Sequence, residues 1–249
     1  MNTLVTHPDQ RQRHVDDQAL RALQQRLSMS PRQLAWLRMR FLLLHLSRAG
    51  GGLIKRLIDL LVASSVLVLA LPLMLTIGLL INLTDGGPVL FWQVRVGKWG
   101  RHFPFPKFRS MVVNAEAVRA RLLADNQHGQ GITFKMRHDP RITWIGSLIR
   151  KTSIDELPQL WCVIKGDMSL VGPRPALVGE VERYTLEDRR RLEVKPGLTC
   201  IWQVSGRSEI PFDEQCRMDV RYIEEQSVKA DLRLLLRTIP AVVTGRGAY

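Results

Sequence analysis

The sequence contains few cysteines and few aromatic residues, and both shortages exclude classes of function. Its three cysteines, Cys162, Cys200 and Cys216, are far apart and lack the spacing of metal ligands. We therefore expect reduced thiols in a cytosolic compartment. Aromatic residues make up only 6% of the chain and do not alternate with basic residues. This argues against a protein that stacks single-stranded nucleic acid on aromatic side chains.

Several sequence motifs are also missing. There is no Gly-x-Gly-x-x-Gly segment and no P-loop, so neither dinucleotide binding nor P-loop chemistry is supported. The histidines show no His-Glu-x-x-His or other paired spacing. Residues 1–30 are polar and charged, without the apolar core and small-residue cleavage site of a signal peptide. We therefore expect no cleaved leader.

Positive charge is what the chain has in excess, with a formal net charge of +13. Such a charge predicts an anionic partner, which is nucleic acid, an acidic membrane surface or a phosphorylated substrate. Much of the charge lies beside a long apolar segment, and no nucleic-acid recognition motif is present. We therefore expect a membrane and phosphorylated substrates as partners, and no nucleic acid.

Residues 60–84 include no charged side chain and exceed the roughly 20 residues that a helix needs to cross a bilayer. Basic residues flank this segment on both sides, whereas a spanning helix is expected to have one basic flank. A helix that bends within the membrane and returns to the same side satisfies both flanks. Pro72 would kink such a helix near its middle, but an ordinary spanning helix also tolerates it. The residues alone leave both topologies open.

Residues 31–48 mix Trp36, Phe41 and several leucines with arginines. This composition is typical of an interfacial amphipathic helix on anionic lipid, although an ordinary helix packed on the domain also fits. We therefore divide the chain into an N-terminal extension with this helix (residues 1–50), a membrane helix (51–84) and a cytoplasmic domain (85–249).

Alternating patterns and turn signals in the cytoplasmic domain predict strands at residues 89–96 and 103–108. Helical patterns predict helices over residues 115–126, 142–151, 156–164, 180–195, 211–225 and 231–244. The expected fold is α+β and mostly α, a compact domain with a small sheet that lies against the membrane.

The segment Ser153-Ile154-Asp155-Glu156 supports two interpretations. Ser153 followed three residues later by Glu156 is the pattern of a capping box, and acids suit the first turn of a helix. Alternatively, a helix N-terminus binds phosphate, and adjacent side chains on a helix point about 100° apart. Asp155 would then face a phosphorus atom and Glu156 a magnesium ion, which prefers carboxylate oxygens and substrate phosphates.

Arginines beside turns are candidates for phosphate binding. Arg174 stands between two prolines, whose stiff backbone would preorganise its guanidinium for a bidentate contact. Arg150, Arg207 and Arg109 are further candidates, since each lies close to a turn or to the two carboxylates. Asp231 either pairs with one of these arginines or caps a helix.

Longer motifs link these candidates along the chain from about residue 53 onward. They are Lys55-Arg56-Leu57-Ile58-Asp59, Gly87-Pro88-Val89-Leu90-Phe91, Lys107-Phe108-Arg109-Ser110-Met111, the carboxylate segment from Arg150 to Leu160, Gly172-Pro173-Arg174-Pro175, and Trp202-Gln203-Val204-Ser205-Gly206-Arg207. With these motifs, the chain resembles the bacterial sugar transferase family, the monotopic phosphoglycosyl transferases that act on polyprenyl phosphate.

The resemblance implies a monotopic protein on the cytoplasmic face of the bacterial inner membrane, with a reentrant helix bent at Pro72. It implies Asp155 as the catalytic nucleophile and Glu156 as the ligand of a Mg²⁺ cofactor. Further positions match those that the family uses around the phosphates: Arg150, Arg174, Arg207 and Asp231. Arg109 is a phosphate-binding candidate from its own motif.

The implied reaction transfers a sugar 1-phosphate from a UDP-sugar to polyprenyl (undecaprenyl) phosphate through a phosphosugar-aspartyl intermediate and releases UMP. It would initiate the assembly of an exopolysaccharide, a capsule or an O-antigen. The implied partners are the UDP-sugar, polyprenyl phosphate and inner-membrane phospholipid, and a homodimer is also compatible. Glucose, galactose and N-acetylated amino sugars all fit as the sugar. The alternative is a non-catalytic membrane-bound scaffold that binds anionic lipid, in which Asp155 and Glu156 only cap a helix.

Overall fold

The computed structural model describes residues 31–115, 117–118, 139–206 and 209–244. The chain divides into two compact units, Met1–Leu53 and Ile54–Tyr249. In the first unit the chain is helical from Pro31 onward, as predicted for residues 31–48, and Trp36 and Met39 are exposed. Contact of this helix with lipid stays a prediction, as does the division into three parts. The helix predicted over residues 115–126 lies largely outside the described residues.

Helix α1 (Pro31–Asp85) contains the long apolar segment. Its part from Gly51 to Asp85 is long and apolar enough to cross a membrane, which holds for no other helix among the described residues. Only 11% of an apolar stretch of 18 residues within this part is buried, and Leu69 is 81% exposed. A helix in a soluble core would bury such side chains, so α1 is compatible with a membrane-associated helix. Pro72 lies inside α1, and the bend expected there stays a prediction.

The strands form one small sheet and one strand pair. Strands β1 (Leu90–Val96) and β2 (His102–Phe108) form an antiparallel hairpin through a short 3₁₀ turn, Lys98–Gly100, which confirms the predicted hairpin. Strand β4 (Ala176–Leu177) adds to the free side of β1, and β3 (Ser169–Val171) pairs in parallel with β5 (Gly197–Thr199). The last three strands were not predicted, since runs of two or three residues give no alternating pattern.

Helices make up most of the remaining described chain, so the mostly helical fold with a small sheet is confirmed. The α-helices are α2 (Trp144–Lys151), α3 (Leu160–Lys165), α4 (Val178–Val181), α5 (Leu186–Arg189), α6 (Phe212–Glu224) and α7 (Val228–Thr244). Three further 3₁₀ helices span Ile154–Gln159, Arg190–Leu192 and Trp202–Val204.

Two predicted helices are wrong as single elements. The helix expected over residues 180–195 is broken into α4, α5 and a 3₁₀ turn, because Thr185 and Asp188 form a capping box that begins a new helix. The helix expected over residues 156–164 is divided at Gln159 into a 3₁₀ helix and α3.

Polar contacts attach the part of α1 just before the apolar segment to the rest of its unit. Asp59 is 5% exposed and accepts hydrogen bonds from the Ser169 hydroxyl (3.1 Å) and the Leu170 N–H (3.0 Å). Arg56 donates to the carbonyls of Val163 (2.6 Å) and Ile164 (2.8 Å) near the C-terminal end of α3. This part of α1 is therefore held by hydrogen bonds of two charged side chains.

Strand β2 packs beside the segment that carries Asp155 and Glu156. Phe103 and Phe105 belong to a buried core with Val163 of α3, whereas Phe108 belongs to a second core with Ile149 of α2. The strand also packs against the 3₁₀ helix that lies between these two helices. The carboxylate segment is therefore held beside β2.

Candidate active site

A left-handed turn introduces the two carboxylates. Helix α2 ends at Lys151, and Ser153 has φ 57° and ψ 17°, a conformation that a residue with a side chain adopts at a cost. The Ser153 N–H donates to the Arg150 carbonyl (3.1 Å) and closes the turn. The chain then enters the 3₁₀ helix with Asp155 and Glu156 in its first turn. The turn therefore separates the carboxylates from α2.

Of the two interpretations of this segment, the capping box is wrong. Ser153 makes no side-chain capping hydrogen bond. The Glu156 carboxylate does not turn back to the start of the helix, because Oε1 accepts a hydrogen bond from Nη1 of Arg174 at 3.1 Å. The capping interpretation therefore no longer accounts for these two acids.

Asp155 lies among cations in a half-buried position. Burial, and then the neighbouring Glu156, raises its pKa to about 7. Lys107, Arg150 and Arg174 act in the opposite direction and favour the ionised carboxylate. Four of the predicted site residues therefore come together in the structure. They are Asp155, Glu156, Arg150 and Arg174.

Two cations of the site were overlooked in the sequence. Lys107 of β2 has a pKa lowered to about 8 by burial and by nearby arginines, while Asp155 opposes the shift. Arg95 of β1 has a pKa lowered to about 10 by burial and then by Arg174. Its Nη1 donates to the Pro175 carbonyl at 3.0 Å, which ties β1 to the Arg174 turn. The signal that could have revealed Lys107 is the register of the hairpin, which the sequence motif does not show by itself.

In that register, Lys107 of β2 lies directly opposite Phe91 of β1. Lys107 and Arg109 are two residues apart in one motif, and the sequence gives no reason to prefer one over the other. The structure distinguishes them by their partners, because Arg109 pairs with Asp85 whereas Lys107 lies near Asp155.

Two predicted site residues lie elsewhere, and their roles in binding phosphate stay predictions. Arg109 is 8% exposed and forms an ion pair with Asp85 at the end of α1. Asp231 accepts from Nζ of Lys55 at 2.6 Å and from the Tyr222 hydroxyl at 2.8 Å. Both residues hold α1 against the rest of the unit. Arg207 lies outside the described residues.

The carboxylates fit a magnesium ion only together with a substrate. Within the described part of the chain, no group of three His, Cys, Asp or Glu side chains could hold a metal. Mg²⁺ is commonly bound by one or two carboxylates plus substrate phosphates. Glu156 suits this arrangement, because its side chain is 23% exposed and Arg174 engages only Oε1. The site would therefore bind the metal with the phosphates of its substrate.

Comparison with known proteins gives the class of the chain. Residues 51–245 match the family model described as bacterial sugar transferase. The match includes the apolar segment of α1, the hairpin and the carboxylates. The chain therefore belongs to the bacterial sugar transferase family.

Three relatives show how far the similarity extends. The chain is 54% identical over 165 residues to the galactosyl transferase CpsE of Streptococcus agalactiae serotype III (strain NEM316), covering 66% of this chain and 36% of that protein. It is 41% identical over 202 residues to the exopolysaccharide production protein ExoY of Rhizobium meliloti (strain 1021), covering 80% and 89%. It is 37% identical over 212 residues to the UDP-glucose:undecaprenyl-phosphate glucose-1-phosphate transferase of Caulobacter vibrioides (strain ATCC 19089 / CIP 103742 / CB 15), covering 82% and 75%. The chain thus spans well under half of the streptococcal relative.

Proposed function

We propose that this protein transfers a sugar 1-phosphate from a UDP-sugar to polyprenyl phosphate at the cytoplasmic face of the bacterial inner membrane. The family and the names of its relatives support this class of reaction. The observation that carries the proposal is the pair Asp155 and Glu156, held within a group of cations in the same unit as an exposed apolar helix. The product would begin the assembly of an exopolysaccharide, a capsule or an O-antigen.

The first step uses Asp155 as the nucleophile. A carboxylate oxygen attacks the β-phosphorus of the UDP-sugar, the bond from this phosphorus to the bridging oxygen breaks, and UMP leaves with the electron pair. In the second step, an oxygen of polyprenyl phosphate attacks the same phosphorus and releases the Asp155 carboxylate. The product is a polyprenyl diphosphate sugar, and each step exchanges one P–O bond for another.

Electrostatics support this role for the carboxylate. Burial removes water from Asp155, which leaves the carboxylate poorly solvated and therefore more reactive. The same burial raises its pKa to about 7, and the three nearby cations favour the ionised form that the attack requires. Those cations also match the charge of two phosphates, so they would hold the substrate and stabilise the charge that develops on UMP.

Glu156 has two roles in the proposal. Its ion pair with Arg174 holds that guanidinium in place and leaves its remaining N–H groups for a phosphate oxygen. Its second carboxylate oxygen would hold Mg²⁺ together with the substrate phosphates. The bound metal would neutralise part of the phosphate charge.

The membrane arrangement that we propose concerns α1. We propose that the apolar segment enters the bilayer, bends at Pro72 and returns to the cytoplasmic side, since both of its flanks are basic. The contacts of Arg56 and Asp59 hold this segment to the part of the unit that carries the site. Polyprenyl phosphate, whose tail lies in the bilayer, would then reach the site with its headgroup.

UMP release tests the proposal. Purified protein in lipid nanodiscs is incubated with Mg²⁺, polyprenyl phosphate and a panel of UDP-sugars, and we expect UMP from at least one donor. Asp155→Asn should abolish turnover while membrane association is retained. Near-normal UMP release by this variant would refute the nucleophile assignment. No release from any donor by the unaltered protein would favour the lipid-binding scaffold.

A further inference from the structure

The ammonium group of Lys107 lies beside the aromatic ring of Phe91. Lys107 on β2 and Phe91 on β1 are directly opposite in the antiparallel hairpin. Side chains at such positions lie on the same face of a sheet and are close enough to interact. The Lys107 ammonium lies 5.3 Å from the centroid of the Phe91 ring, within the range of a cation–π interaction.

Most of the charged groups around Lys107 repel it. Arg95 faces it from β1, Arg150 from α2 and Arg174 from the turn between β3 and β4. Asp155, on the 3₁₀ helix, is the group that attracts it. Among the residues that the structure describes, none forms a hydrogen bond or an ion pair with the Lys107 ammonium. The Phe91 ring is therefore the direct contact of the ammonium, beside the longer-range attraction of Asp155.

We propose that Phe91 is a positioning residue for the reaction proposed above, because its ring holds the Lys107 ammonium on the face of the hairpin that adjoins Asp155. The aromatic face attracts the ammonium, and it needs no acid that would neutralise the charge offered to the substrate. This inference rests on the proposed function. It assigns to Phe91 a role that acts through Lys107 and involves no contact with the reacting atoms.

The hairpin provides a matched control. Trp92 follows Phe91 on β1 and is also aromatic and exposed, at 55%. Since successive side chains of a strand point to opposite faces, Trp92 lies on the other face of the hairpin. Its cross-strand partner is Pro106, which carries no charge. Trp92→Leu therefore removes an exposed ring from the same strand without removing the partner of Lys107.

Two variants separate the electrostatic role of Phe91 from its bulk. Phe91→Leu keeps an apolar side chain but removes the aromatic face. Replacement of Phe91 by a ring-fluorinated phenylalanine keeps the shape and weakens the attraction for a cation. The second variant keeps the test valid if the leucine variant folds poorly. Phe91→Tyr retains the aromatic face and should behave like the unaltered protein.

The titration of Lys107 is measured in two ways on the full-length protein. Amine labelling followed by mass spectrometry gives its midpoint directly, and the alkaline limb of the rate of UMP release reports the same group. Loss of the cation–π interaction should lower both midpoints by about 0.5–1 pH unit for Phe91→Leu and by less for the fluorinated ring. It should reduce kcat/KM about 2- to 5-fold at the alkaline midpoint of the unaltered protein. Trp92→Leu should leave both midpoints in place.

Unchanged midpoints in both Phe91 variants, with an active unaltered protein, would overturn the role of Phe91 and leave the proposed function intact. Equal shifts in the Phe91 and Trp92 variants would also overturn it, because they would indicate a general loosening of the hairpin. Absence of UMP release by the unaltered protein would overturn the proposed function and, with it, a positioning role in that reaction.

Discussion

The raised pKa of Asp155 predicts that the unaltered protein is less stable than a variant that cannot ionise at this position. The pKa rises from 3.8 to about 7 on folding, chiefly because of burial. Between these two values the folded state binds more protons than the unfolded state, so stability falls as pH increases. Asp155→Asn removes the ionisation and with it this pH-dependent loss.

The magnitude follows from the size of the shift. One pKa unit corresponds to about 1.4 kcal/mol, so the full shift amounts to at most about 4 kcal/mol above pH 7. At about pH 5 the loss is about 2 kcal/mol, because Asp155 is then mostly protonated in the folded protein. The stability gained by Asp155→Asn should therefore grow by about 2–3 kcal/mol from about pH 5 to about pH 8. For a chain of this size, that is about 4–12 °C in transition temperature.

Thermal unfolding in detergent, followed by tryptophan fluorescence, measures this difference without any substrate. The control is Asp213→Asn, which removes an exposed carboxylate from the first turn of α6 and should change the transition temperature little at either pH. A gain for Asp155→Asn that is equal at both pH values, or larger at the lower one, would contradict the burial of an ionisable nucleophile.

The other predictions concern activity, packing and topology. The rate of UMP release should depend on pH with an acid limb near pH 7, where Asp155 ionises, and an alkaline limb near pH 8, where Lys107 loses its proton; a rate that is flat across this window would refute the assignment. Gly87→Ala should lower the transition temperature by about 2–10 °C, because the added Cβ would lie 2.0 Å from Nη1 of Arg109. Gly179→Ala, which meets nothing within 4 Å, is its control, and equal effects of both changes would count against this packing. Single cysteines placed before and after the apolar part of α1 should be labelled from the same side of the membrane, whereas labelling from opposite sides would contradict reentry.

The site was predictable where its residues are contiguous in sequence. Asp155 and Glu156 are adjacent, and Arg150 precedes them by little more than one helical turn, so the motif itself brings them together. Lys107 was missed because its approach to Asp155 depends on the register of a hairpin. Arg109, chosen in its place, pairs with the end of α1.

Two predictions from local sequence patterns were wrong, each for a different reason. The sequence of Ser153 and Glu156 fits a capping box, but the Glu156 carboxylate bonds to Arg174, eighteen positions later. A local pattern cannot anticipate such a distant partner. The helix predicted over residues 180–195 was wrong for a local reason, since the capping box of Thr185 and Asp188 begins a new helix within it.

The attachment of α1 has a consequence for the order of folding. Arg56 reaches a carbonyl 107 positions later, and Lys55 reaches Asp231 across 176 positions. During synthesis, the apolar segment therefore emerges long before the groups that pair with its charges. Contacts so distant in sequence form late, because a long loop must close before they are made. Among these partners Asp231 comes last and is in α7, so a ribosome stalled before this helix would leave a nascent chain in which Lys55 of α1 still lacks its partner.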